Sequence, residues 1–147
     1  ELPVVSVEGL WKALDQAIWQ YDSNEYYLVA MILNNGGKED IGKLLNHNNP
    51  LVRYHTHILL LSNNALSETN FCLLWEEEAE LRERNLHSDG EMTRFFLAKG
   101  LGMIHMVARE QEQLQILDIV DQQLTEIAND PRQSLGVRNA AREGLMR

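Results

Sequence analysis

The chain is poor in cysteine. Its 147 residues include one, Cys72, so no disulfide can form within it. The setting of that thiol in the apolar stretch NFCLLW predicts a small buried hydrophobe, and so few thiols point to a reducing compartment, making a cytoplasmic location the expectation. Prolines are equally scarce, at Pro3, Pro50 and Pro131, and no stretch alternates apolar and polar residues as a strand would. A β-rich fold is excluded on that ground. No apolar run approaches the roughly 20 residues that cross a bilayer, and ELPVVSVEG lacks the charged start and long apolar centre of a secretion signal. Membrane insertion is therefore not expected. Positive charge is also short: 13 Lys and Arg stand against 22 Asp and Glu, a net charge of −9. That balance repels phosphate backbones, and no basic cluster offsets it, so nucleic acid is not an expected partner.

Motifs that carry catalysis are missing as well. NNGGKED has glycines before a lysine but not the spacing that wraps a phosphate, and no strand precedes it. No serine sits in a nucleophile elbow, and Cys72 has no histidine at predictable reach. His55 and His57 are two residues apart, which on a helix turns them about 200° from each other, so they cannot share a metal ion as an i, i+4 pair would. His55 is expected to pack inward and His57 to face out. In WEEEAELRER, Glu78 with Arg82 and Glu80 with Arg84 are i, i+4 ion pairs, the ordinary pattern of a solvated helix face. No cofactor, no metal and no enzymatic activity are expected.

What the chain has in quantity is helical periodicity. Val7, Leu10, Trp11, Leu14, Ile18 and Tyr21 share one face of a first helix, and further helices are predicted at about 25–34, 39–46, 50–62, 67–86, 91–109, 111–129 and 134 to the end. The glycines of NNGG suit a left-handed turn, and Pro50 suits a first helical turn, where its missing amide hydrogen is not needed. The eight helices pair, and the pairs repeat. Leu45, Leu86 and Ile127 are spaced by 41, as are Asn48, Asp89 and Asp130. Val52-Arg53 returns as Thr93-Arg94 after 41 residues and as Val137-Arg138 after 44, the extra residues fitting the loop DPRQSLG. Self-similarity at this period indicates stacked helical hairpins. The apolar residue before the arginine points inward and the arginine can fork onto a turn carboxylate, except where Asn48, Thr93 and, in the first unit, Tyr27 depart from the pattern and no such ion pair is expected. Small residues at Gly100, Ala140, Ala141 and Gly144 allow neighbouring helices to approach closely.

NNPLVRYHTHILLL and NDPRQSLGVRNAAREGL resemble HEAT-type (HEAT/armadillo) repeats, with an Asp or Asn and a Pro in the turn, then Val-Arg, then small and apolar residues. The likeness runs over about residues 25–147, and residues 7–24 fit the outer helix of a degenerate first unit. It implies an all-α fold, a right-handed α-α superhelix of about four helical hairpins. Residues 1–147 then form a single HEAT-like domain, whole or a fragment of a longer solenoid. It also implies a cytoplasmic protein-binding scaffold without catalysis, working alone or within a larger assembly.

The second helices of such a solenoid line its concave wall. If positions two, three, six and seven after each arginine are core, the outward positions are Tyr54 and His57, then Phe95 and Lys99, then Asn139 and Arg142. Tyr54, His57, Phe95, Lys99 and Arg142 are thus the candidate partner-binding residues, because aligned aromatics anchor a peptide or helix of another protein at low entropy cost; the alternative is that Tyr54 and Phe95 pack under an adjacent loop or unit. The rival reading is an acidic inhibitor or immunity-type protein that blocks a basic enzyme with its carboxylates.

Overall fold

A computed structural model describes residues 6–19, 25–61, 68–85 and 90–147. Among them are eight helices and no strand: α1 (Val7–Trp19), α2 (Glu25–Asn35), α3 (Lys38–Leu45), α4 (Pro50–Leu60), α5 (Glu68–Arg84), α6 (Glu91–Glu110), α7 (Leu114–Ala128) and α8 (Leu135–Leu145). The fold is all-α. None of the helices is long and apolar enough to cross a membrane. Tyr21, Leu86 and Asp89, which carried part of the expected periodicity, lie outside the described residues.

The chain divides into two compact units, Glu1–Leu59 and Leu60–Arg147. In the first, Leu10 and Leu14 of α1 pack with Val29 and Ile32 of α2, Leu44 of α3 and Val52 of α4, each almost wholly withdrawn from solvent. A polar pin accompanies this core. Trp11 Nε1 donates to Asp40 Oδ1 at 2.8 Å, and the amide of Gly37 donates to Asp40 Oδ2 at 2.9 Å. The Trp11 hydrogen bond holds the Asp40 carboxyl below the usual carboxylate range. The turn into α3 uses no left-handed glycine, contrary to the expectation for NNGG; a Cβ on Gly36 would instead stand 2.8 Å from the Ile32 carbonyl oxygen. Close approach, and not a positive φ, is what fixes glycine there.

Pro50 opens α4 as its chemistry suggests, with the Leu51 amide donating to Asn49 Oδ1 at 2.9 Å. Arg53 grips the preceding turn, Nη1 donating to the carbonyls of His47 at 2.6 Å and Asn48 at 3.3 Å. Arg94 does the equivalent in the second unit: Nη1 donates to the Asn85 carbonyl at the end of α5, and Nε donates to Gln133 Oε1 at 2.9 Å. Both arginines thus reach carbonyls that the ended helices leave without intrahelical partners, while Asp89, the turn carboxylate before Arg94, lies outside the described residues. At the third repeat the carboxylate is taken locally, because Arg132 Nε and Nη2 donate to both oxygens of Asp130, at 3.1 and 2.9 Å. Arg138 Nε is buried without a hydrogen-bond partner.

In the second unit α6, α7 and α8 pack against one another, and α5 packs on α6. Helices α6 and α8 approach to backbone contact: a Cβ on Gly102 would lie 2.9 Å from Gly144 Cα, and the reverse distance is also 2.9 Å. Gly144 was expected at such a contact; its partner is Gly102. On α5, Phe71, Leu74, Glu78 and Leu81 turn inward, which places Cys72 on the outer side, exposed and not buried as its apolar neighbours suggested. The same geometry buries Glu78. Its pair with Arg82, at 2.6 Å, is withdrawn from solvent, so only Glu80 and Arg84 form the expected solvated pair.

Candidate functional site

Of the five residues expected to line a binding wall, Lys99 and Arg142 are exposed, Phe95 and His57 are half-buried, and Tyr54 is fully buried. The outward reading of Tyr54 is overturned because α4 buries two faces. Val52 and Thr56 occupy one, Tyr54 and Ile58 the other, and all four are within 2% of complete burial. Tyr54 meets the His55 ring at 6.1 Å, and His55 in turn meets Tyr26 edge-on at 5.3 Å. Withdrawal from water pushes the His55 imidazole down to about 3, so it is neutral across the physiological range. No ridge of exposed aromatics therefore runs through position 54.

The surface that does form is on α6. Between Met92 and Met106, the residues not buried are Met92, Thr93, Phe95, Phe96, Lys99, Met103 and Met106. Met92, Phe95, Lys99, Met103 and Met106 follow one another at three- and four-residue steps, which places them along one side of the helix. Phe95 and Phe96 meet edge to face at 5.6 Å, and Lys99 Nζ stands 5.1 Å from the centre of the Phe95 ring. The ammonium thus rests on an aromatic face.

The adjoining helix α8 presents Leu135, Asn139 and Arg142 to solvent, followed by Met146. Its N-terminus is capped by Ser134, whose Oγ accepts the Val137 amide. Arg142 Nη1 donates to Asn139 Oδ1 at 2.8 Å, and Nη2 donates to the carbonyl of Ala128 at the end of α7, at 3.2 Å. The two faces meet at the chain's last residue, where Arg147 Nη1 lies 3.3 Å from Met103 Sδ. That end is held in place by His105, whose Nδ1 is 3.3 Å from the Arg147 carbonyl oxygen and whose Nε2 is 3.1 Å from Asp121 Oδ2 of α7.

The chemistry of this face is apolar, with Lys99 and Arg147 as the cations in contact with it. Four of the five methionines of the chain, Met92, Met103, Met106 and Met146, belong to it. Methionine reshapes easily around a ligand, so such a stripe suits recognition of apolar side chains. In residues 91–110 and 135–147 the exposed ionic side chains are Lys99, Arg109, Arg142 and Arg147 with Glu91, Glu110 and Glu143, whereas the rest of the chain holds seven cations and nineteen carboxylates. Nothing in it resembles a catalytic constellation, and no group of three His, Cys, Asp or Glu side chains comes together among the described residues. The methionines and Arg147 were absent from the expected site. Their spacing is visible in the sequence, but Leu97, Leu101 and Ile104 on the opposite side of α6 make an equally good stripe.

Comparison with family models, with curated proteins and with solved structures finds no match.

Proposed function

We propose that the chain is a non-catalytic interaction scaffold, a short HEAT-like α-solenoid that holds a peptide or helix of another protein on the outward faces of its second helices. The observation that carries this reading is the methionine and phenylalanine stripe of α6 beside the exposed face of α8. The solenoid part is supported by two features: the backbone-close packing of α6 on α8, which are second helices of successive pairs, and the like roles of Arg53 and Arg94 at the turns before their helices. Soluble helical repeats of this kind bind along extended surfaces.

The test is affinity capture with the intact protein and two double variants. Phe95→Ala with Met103→Ala is expected to lower retention of bound partners at least about tenfold, the effect of losing two buried anchors. Tyr27→Ala with Met31→Ala, exposed on α2, is expected to leave retention unchanged. Equal capture by all three proteins would contradict the assignment.

The second reading, an acidic inhibitor of a basic enzyme, is favoured by the concentration of carboxylates outside α6 and α8. It predicts partners that elute at moderate salt and are indifferent to the Phe95 and Met103 substitutions.

A further inference from the structure

We infer that the occupant of the α6 and α8 face is an acidic amphipathic helix of a partner protein, an inference that rests on that face being the binding surface. Its charge is opposite to that of the molecule. The unburied residues of α6 from Met92 to Met106 include one ammonium, Lys99, and no carboxylate. Arg147 places a second cation against Met103, while on α8 the exposed Arg142 is offset by the exposed Glu143 beside it, and Glu91 stands at the far end of the stripe, next to Gly136. A basic helix would be drawn to the rest of the chain, which holds nineteen carboxylates against seven cations, but on the stripe it would set like charges against Lys99 and Arg147. An acidic helix is repelled elsewhere and attracted here, which gives selectivity by exclusion as well as by attraction.

The shape of the stripe argues for a helix. From Met92 to Met106 it runs about 21 Å along α6 at the helical rise of ~1.5 Å per residue. That is about four turns, and it matches a ligand presenting apolar residues at i, i+3 or i+4, and i+7. Met103 and Met106 suit leucine-sized side chains, Phe95 and Phe96 supply area, and Lys99 and Arg147 are the cations beside the stripe that flanking glutamates of the ligand would meet.

The experiment uses two labelled synthetic helices of about 18 residues with the same leucine face. One carries glutamate on its remaining positions and the other lysine. Fluorescence anisotropy is followed with the intact chain, with Phe95→Ala, and with the exposed double variant Lys99→Glu, Arg147→Glu, after circular dichroism has confirmed that each is folded. The acidic helix is expected to bind at least about tenfold more tightly than the basic one, and the charge-reversed variant to lose that preference. Tighter binding of the basic helix, weakened by Phe95→Ala, would leave the face standing and overturn the acidic occupant. An acidic helix that binds equally to wild type and the charge-reversed variant would overturn it too. If neither helix binds the folded wild type, both the face and its occupant are refuted.

Discussion

Between pH 4.5 and 6.5 two buried groups are expected to pull stability in opposite directions, and substitution of either should expose the other. Glu78 of α5 is fully buried, and desolvation pushes its carboxyl up to about 7 in spite of the Arg82 guanidinium beside it. One oxygen receives Arg82 at 2.6 Å, while Oε2 has no hydrogen-bond partner. Burial wins because half of the carboxylate is desolvated without compensation. The charged neighbours on α5 are Arg82, which favours ionisation, and Glu83, which opposes it; Gln123, which faces Arg82 from α7, is neutral. A carboxyl whose folded value lies above its unfolded one contributes full stability below pH 4.5 and loses it as pH rises through about 7, a change of about 3 kcal/mol. His55 works the other way. Its folded value of about 3 lies below the unfolded 6.5, so stability is lost as pH falls from 6.5, by about 5 kcal/mol when pH reaches 3.

The two groups sit in different compact units, so residue-resolved hydrogen exchange separates them. After correction for intrinsic exchange, amides of α5 should gain protection on acidification from pH 7 to 4.5, and amides of α4 should lose it below 6.5. Glu78→Gln should flatten the first profile and His55→Phe the second. Protection that follows one common profile in all variants would contradict the burial argument.

Gly102→Val should cost about 3 kcal/mol in a denaturant titration, the upper part of the range for overpacking a tight core. The new Cβ would stand 2.9 Å from Gly144 Cα, and a backbone atom cannot rotate out of the way. The two helices must separate, taking Leu101 and Ala141, both fully buried, out of register. Helix propensity acts in the opposite sense but recovers less than about 1 kcal/mol. Gly42→Ala supplies the control. It lies inside α3 with nothing within 4 Å of the new methyl, so it should stabilise the chain by about 0.5–1 kcal/mol. If Gly102→Val unfolds at the wild-type midpoint, α6 and α8 are not in backbone contact.

How much of this was legible in the sequence depended on whether a residue's role is local. Pro50 opens α4, the helices lie close to where periodicity puts them, and His55 packs inward, because spacing and turn chemistry decide such features within a few residues. Tyr54 was misplaced because a helix buried on two faces carries no single period to separate inside from outside. Glu78 and Glu80 each precede an arginine by four residues, and nothing in that pattern says which pair a neighbouring helix covers. Asp130 illustrates competition: the distant Arg138 was its apparent partner, but Arg132, two residues away, closes the fork with far less chain to order. Gly100 and Gly102 are two apart on α6 and point about 200° from each other, so choosing the one that meets Gly144 requires the orientation of the whole helix.

The central claim is that the outward faces of α6 and α8 are where a partner docks, and isotope-labelled methionine methyl groups report on it directly. Met92, Met103, Met106 and Met146 lie on that surface, and Met31, exposed on α2 in the other compact unit, is an internal control. On titration with the acidic helical peptide, the signals of Met92, Met103 and Met106 should shift together and saturate while Met31 stays in place. A shift confined to Met31, or none at saturating peptide, would contradict the account.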